Sequence, residues 1–273
     1  MKKSILLALA TISVLEVWCQ IRIMPLGNSI TSGDNMLGYR DELYKKLVAA
    51  GYTYPAKFFP VGNDGRIENG LGGIPQMGGA IGSPWVDDIG YNGLGYTGQF
   101  SIDFEGHGGF QAGKSAKATG YTDHALAQMV PFDIPRFNPQ VILMELGTND
   151  MLGGWTKHGP WPDGNDTSQH LRPMAAANNV LDCVDLIRKL APDSFIFVAG
   201  FGYSAAASDI IKTGIDIRIG KGATNLQYVW LFNNFTTGDL SPDKVHPSRS
   251  GYLKMAQSWF EVLKPRLDII SGR

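Results

Sequence analysis

Ile21-Arg22-Ile23-Met24-Pro25-Leu26 runs straight into Gly27-Asn28-Ser29-Ile30-Thr31. A short apolar run closed by a glycine turn reads as a buried strand ending in a polar loop. A helical pattern follows from Leu37 to Ala50, closed by Gly51, and a second apolar run from Phe58 to Val61. Strand, helix and strand in that order make a βαβ opening, which fixes the expectation for the rest of the chain.

The alternation continues. Val141 to Leu146 reads as a buried strand, and Asn178 to Ala191 as an amphipathic helix with Val180, Leu181, Val184, Ile187 and Leu190 on its apolar face. Phe195 to Ala199 and Tyr228 to Phe232 are read as further strands. A last helix, Tyr252 to Lys264, turns Leu253, Ala256, Trp259, Phe260 and Leu263 toward the core and stops at Pro265. The class expected is α/β: a three-layer α/β/α sandwich around a mostly parallel sheet. Two stretches, Gly62 to Gly98 and Leu152 to Pro173, show neither period and are read as long loops. In such a sheet they gather beyond the carboxyl ends of the strands, where ligands bind. Trp85, Trp155 and Trp161 lie in them and offer faces either for sugar stacking or for loop packing.

A chain of 273 residues with 44% apolar content can bury a full core. Its 24 basic and 25 acidic residues leave a formal net charge of -1, so no field exists to hold a polyanion, and nucleic acid is excluded as a partner. Lys2 and Lys3 before the apolar run Ile5 to Trp18 read as a signal peptide over residues 1–19, with Val17 and Cys19 suited to cleavage before Gln20. A retained N-terminal helix is the rival reading. The expected protein is therefore secreted, extracellular or periplasmic, with a single domain over 20–273 and no stable membrane insertion after cleavage. The only cysteines are Cys19 and Cys183, so such cleavage leaves no internal disulfide.

Four segments carry candidate chemistry, each at the carboxyl end of an expected strand. Ser29 projects from a strand-to-helix turn, where a hydroxyl is well aimed for attack and equally serves as a helix cap. Asp243-Lys244-Val245-His246-Pro247 places a carboxylate three residues before an imidazole, a spacing at which a turn lets Asp243 accept the Nδ1 proton and leaves Nε2 as a base. Asn149, in Gly147-Thr148-Asn149-Asp150, offers a side-chain N–H. Gly109, in Glu105-Gly106-His107-Gly108-Gly109-Phe110 after the strand-like Ser101 to Phe104, offers a reachable backbone N–H. Those are the two donor types of an oxyanion site, although Gly and Asn favour turns in any case.

Taken together the four segments resemble the blocks of the SGNH (GDSL-type) hydrolases, in chain order: a nucleophilic Ser, an oxyanion Gly, an oxyanion Asn and a D-x-x-H pair. Ile23 to Thr31, Tyr39-Arg40 and Glu105 to Phe110 are most similar to the acetylxylan esterases of carbohydrate esterase family 3. The resemblance covers most of the chain after Gln20. Asn28 stands where many members have Asp, Phe110 where Trp is common, and the Gly62 to Gly98 loop is longer. What it implies is a flavodoxin-like fold, Ser29, His246 and Asp243 as catalytic triad, and an oxyanion hole from Ser29, Gly109 and Asn149. The implied substrate is an acylated carbohydrate or small ester, with no cofactor and no metal. Competing readings are a non-catalytic carbohydrate-binding protein on the same scaffold and a lipase-like esterase or acyltransferase.

Three weaker signals are set aside. Ser204 follows a strand as in a nucleophile elbow, but the closing glycine is missing. Gly93-Leu94-Gly95-Tyr96-Thr97-Gly98 spells a dinucleotide fingerprint with no helix after it. His124, His158 and His170 lack metal-ligand spacing.

Overall fold

The computed structural model describes residues 21–32, 38–52, 105–107, 111–113, 126–152, 173–202 and 204–272. In chain order these form β1 (Ile23–Asn28), α1 (Ser29–Ser32), α2 (Gly38–Ala49), β2 (Glu105–His107), α3 (Leu126–Phe137), β3 (Val141–Glu145), α4 (Thr148–Leu152), α5 (Pro173–Leu190), β4 (Phe195–Ala199), α6 (Ala205–Gly220), β5 (Leu226–Val229), a 3-10 turn at Thr237–Asp239, and α7 (Arg249–Ser271).

The five strands make one sheet in the order β2-β1-β3-β4-β5. Every pairing is parallel, with Ile23 opposite Val141, Val141 opposite Phe195 and Ile196 opposite Leu226. Alternate residues divide the core in two. Met24, Leu26, Ile142, Met144, Ile196 and Val198 pack with α3, α5 and α6. Ile23, Val141, Leu143, Phe195, Phe197 and Ala199 pack with α2 and α7. This is the expected three-layer sandwich. The step from β1 to β2 runs toward one edge with its helix on the second face, and the later steps run the other way with their helices on the first. Reversal of direction with reversal of face is what a single crossover hand requires. The switch point falls between β1 and β3, and ligands of doubly wound sheets bind beyond the carboxyl ends there.

Pro25 sits inside β1 without breaking the sheet. Among the described residues β2 pairs only with Leu26 to Asn28, so the stretch holding Pro25 pairs on one side alone, and there a missing N–H is tolerated.

Several boundaries differ from those read off the sequence. β5 begins at Leu226 and ends at Val229, not at Tyr228 and Phe232. Trp230 and Phe232 leave the sheet and pack in a file of rings with Phe235, at centroid distances of 5.5 and 5.0 Å. The last helix does not stop at Pro265 but runs to Ser271. Pro265 is exposed, while Leu267 beyond it is buried and Arg266 stacks 4.2 Å from the Phe195 ring centre. Tyr52 also donates to the Lys264 carbonyl at 3.3 Å. Leu253 points outward, 40% exposed; Tyr252, Met255 and Trp259 supply the buried stripe in its place. On the far side of the sheet, the strand beside β1 is Glu105–His107. The expected strands Phe58 to Val61 and Ser101 to Phe104, the loop over 62–98, and residues 153–172 of the second loop lie outside the described residues, as do residues 1–20, while Leu152 and Pro173 belong to α4 and α5. No helix among the described residues is long and apolar enough to cross a membrane.

Candidate active site

Ser29 is the first residue of α1, directly beyond the carboxyl end of β1. The Asn28 side chain accepts from the Ile30 amide at 3.0 Å and so fixes the turn that presents the serine. From the other end of the chain, 217 residues away, His246 brings Nε2 to 2.8 Å from Ser29 Oγ. Its Nδ1 lies 2.6 Å from Asp243 Oδ2. The sequence-expected serine, histidine and aspartate are thus in one hydrogen-bonded line, with Ser29 and His246 buried.

Asp243 is locally over-determined. Its Oδ1 accepts from the amides of Val245 at 2.8 Å and of His246 at 3.0 Å, in a turn where Lys244 adopts φ 60°. Burial alone raises its carboxyl pKa, but the bonds from the His246 ring and the two amides outweigh that and hold it below the ordinary value. An ionised carboxylate only accepts, so Nδ1 carries the ring proton and Nε2 is left to accept from the Ser29 hydroxyl.

Asn149 is buried in the first turn of α4, beyond the end of β3, the strand beside β1. Gly147 makes that placement possible. Its φ is 110°, and a Cβ there would meet the Phe201 ring at 2.5 Å. Gly109 lies outside the described residues. The segment just after it, Gln111 to Gly113, is tied to α4: Gln111 Nε2 donates to the Asn149 carbonyl at 3.3 Å, and the Ala112 amide donates to Asp150 at 2.7 Å. Asp150 also accepts from Asn179 at 2.8 Å. Burial pushes its pKa up to about 6 against these bonds.

Glu145 was not singled out in the sequence. It ends β3 in register with Gly27, is fully buried, and neither carboxyl oxygen has a hydrogen-bonding partner among the described residues. Burial raises its pKa to about 8. The nearby Tyr39 phenol, fully buried, is likewise pushed up by burial; its hydroxyl lies 3.4 Å from Thr31 Oγ1. A carboxylate closing an otherwise apolar strand was the available signal.

Ser204 has another task. It caps α6, accepting from the Ala207 amide at 3.2 Å. His124, His158, His170, Trp85, Trp155 and Trp161 lie outside the described residues, among which no cluster of His, Cys, Asp or Glu is placed to hold a metal ion.

No family model matches the chain. It is 27% identical over 259 residues to a multidomain esterase of Ruminococcus flavefaciens, a match covering 92% of this chain and 29% of that protein. The chain therefore spans under a third of that relative. Among solved structures it superposes on a family 3 carbohydrate esterase of Clostridium thermocellum with TM-score 0.60 and 21% identity, over 93% of this chain and 100% of that one. A mutant acetyl esterase solved with acetate ion gives TM-score 0.55 at 17% identity, over 92% and 100%. At these identities the solved structures establish a shared fold, and that fold is the one the sequence resemblance implied.

Proposed function

We propose that the chain is a secreted serine esterase that removes acetyl groups from a carbohydrate such as xylan. The observation that carries the reading is the unbroken line from Asp243 through His246 to Ser29 at 2.6 and 2.8 Å. The resemblance to carbohydrate esterases supports the substrate class, and the basic, apolar N-terminal run supports export.

In the first step Ser29 Oγ bonds to the ester carbonyl carbon while its proton passes to His246 Nε2. Asp243 holds the ring's other proton and offsets the imidazolium charge. The carbonyl oxygen becomes an oxyanion, held by the backbone N–H groups of Ser29 and Gly109 and by the Asn149 side chain. Collapse breaks the bond to the sugar oxygen, which leaves with the proton from Nε2. Water, deprotonated by the same nitrogen, then attacks the acetyl-enzyme, and collapse breaks the bond to Ser29 Oγ, which takes the proton back from Nε2 as acetate leaves.

The test is hydrolysis of p-nitrophenyl esters from acetate to octanoate, and of acetylated xylan, by the wild type and Ser29→Ala. The proposal requires preference for acetate, release of acetate from xylan, and loss of both in the variant. Activity surviving in Ser29→Ala overturns the nucleophile. No activity in the wild type moves the sugar-binding reading forward, and preference for long chains the lipase-like one.

A further inference from the structure

His246 is delivered by a turn that closes on itself through local bonds, among them those Asp243 accepts from the Val245 and His246 amides. Leu240 and Pro247 form a single antiparallel bridge, and the Ser241 amide donates to the His246 carbonyl at 2.7 Å. What secures the base of this turn is Asp239. Its carboxylate, nearly shut off from solvent, accepts at Oδ2 from the Thr236 amide at 2.7 Å, the Thr236 hydroxyl at 2.8 Å and Lys254 Nζ at 2.6 Å. Oδ1 accepts from the Ser250 hydroxyl at 2.8 Å. Its backbone carbonyl accepts from the Ser248 amide at 2.8 Å. Thr236 precedes the turn, while Ser250 and Lys254 belong to α7, so one side chain ties both ends of the histidine segment to the helix.

Gly251 shows how tight the junction is. A Cβ there would come within 2.2 Å of the Asp239 carbonyl oxygen and 2.9 Å of Pro247 Cβ. The first turn of α7 is thus pressed against both Asp239 and the residue after His246. The Lys254 ammonium and the Thr236 amide hold the Asp239 carboxyl well below the usual carboxylate range, so the clamp stays charged at working pH.

We infer that Asp239, with Lys254 and Ser250, is a positioning residue for the reaction: the clamp sets where His246 Nε2 stands relative to Ser29. The inference rests on the esterase reading, since it assigns the clamp a share in proton transfer. Asp239→Asn keeps the shape and replaces one acceptor by an N–H group that faces the donors around it. Removing the restraint lets the imidazole drift, and displacement of a base by up to about 1 Å costs roughly ten- to a hundredfold in kcat. The substrate is not touched by the clamp, so KM stays near its wild-type value.

The experiment uses the full chain well below its unfolding midpoint. Three readouts are compared in the wild type, Asp239→Asn, Ser250→Ala and the charge-preserving Lys254→Arg: kcat and KM on p-nitrophenyl acetate, the rate of Ser29 sulfonylation by phenylmethanesulfonyl fluoride, and water exchange of the downfield His246 Nδ1 proton by NMR. The clamp predicts that Asp239→Asn lowers kcat and sulfonylation together, leaves KM in place and speeds exchange, with a smaller effect in Ser250→Ala and retention in Lys254→Arg. A folded Asp239→Asn with wild-type values in all three overturns it. If the wild type itself neither hydrolyses esters nor is labelled at Ser29, the esterase reading has failed, and proton exchange alone decides whether the clamp holds the histidine. Should Asp239→Asn not fold, Ser250→Ala decides in the same way: unchanged kcat and exchange overturn the clamp.

Discussion

Replacing Glu145 by glutamine should stabilise the protein, and by an amount that grows with pH. The carboxyl is fully buried with no hydrogen-bonding partner among the described residues, and burial lifts its pKa from 4.5 to about 8. The folded state therefore keeps the Glu145 proton up to about pH 8, while the unfolded chain releases it near its ordinary value. Between those limits the unfolded state binds fewer protons, so stability falls as pH rises. The contribution is intact below the unfolded pKa and lost on passing through the folded one. Each pH unit is worth about 1.4 kcal/mol, so across the window the glutamine variant gains on the order of 5 kcal/mol over the wild type. The amide does not titrate, and other groups cancel in the comparison as far as they act independently. Urea unfolding of both proteins from about pH 5 to about pH 9 gives the difference directly, with the slope m checked for constancy. The difference should rise to about pH 8 and then level. A difference that stays flat across that range would refute the reasoning, because Glu145 would then be ionised in the folded state with its charge already compensated.

Asn149→Ala should lower kcat on p-nitrophenyl acetate by roughly 10²- to 10³-fold with little change in KM, the signature of a donor used only by the oxyanion. Asp243→Asn should cost on the order of 10²- to 10³-fold in kcat, less than the roughly 10⁴-fold expected where the orienting aspartate is buried, because its side chain is 49% exposed and its field on the ring is screened by solvent. Ser204→Ala should leave kcat and KM at wild-type values while lowering stability by about 1 kcal/mol through loss of the α6 cap, as read by thermal or urea unfolding. Loss of activity in a folded Ser204→Ala would contradict the assignment of Ser29.

The parts of the fold legible in the sequence were those whose periodicity had no competitor. Val141 to Met144 and Phe195 to Ala199 are unbroken apolar runs, and the strands they form, Val141–Glu145 and Phe195–Ala199, are buried along their length. α3 went unread because Pro131 and Pro135 interrupt it, yet both are exposed while Leu126, Val130 and Ile134 repeat every fourth residue into the core. α6 went unread because its isoleucines do not mark one face: Ile211 and Ile215 are buried, Ile217 and Ile219 exposed. Ser204 drew notice as a hydroxyl after a strand, a position that helix caps and nucleophiles share. The hydrogen-bonded line of Asp243, His246 and Ser29 was legible since Asp243 and His246 sit within one turn and Ser29 directly follows a strand. Asp150 and Asp239 were not, because what distinguishes them is burial and partners from distant elements; Glu145 could have been noticed only as the one carboxylate in an apolar strand.

The order of the strands explains why the histidine needs outside support. β5, which leads to His246, lies three strands from β1, which leads to Ser29. At roughly 4.8 Å between neighbouring strands the chain from Trp230 onward must cross about 14 Å of strand ends before the imidazole reaches the serine. Among the described residues that segment pairs with no strand of the sheet and has one bridge of its own, Leu240 with Pro247, so a 2.8 Å contact at its far end is fixed from elsewhere. α7 supplies the fixed point. It leaves directly after Pro247 and Ser248, and Tyr252, Met255, Trp259 and Leu263 share one core with Tyr39, Leu43 and Leu47 of α2. α2 itself follows β1 and the short α1 that begins with Ser29. Ser29 and His246 are therefore referenced to the same layer of the sandwich, through α2 and α7, and the Asp239 contacts are where that reference is handed to the turn.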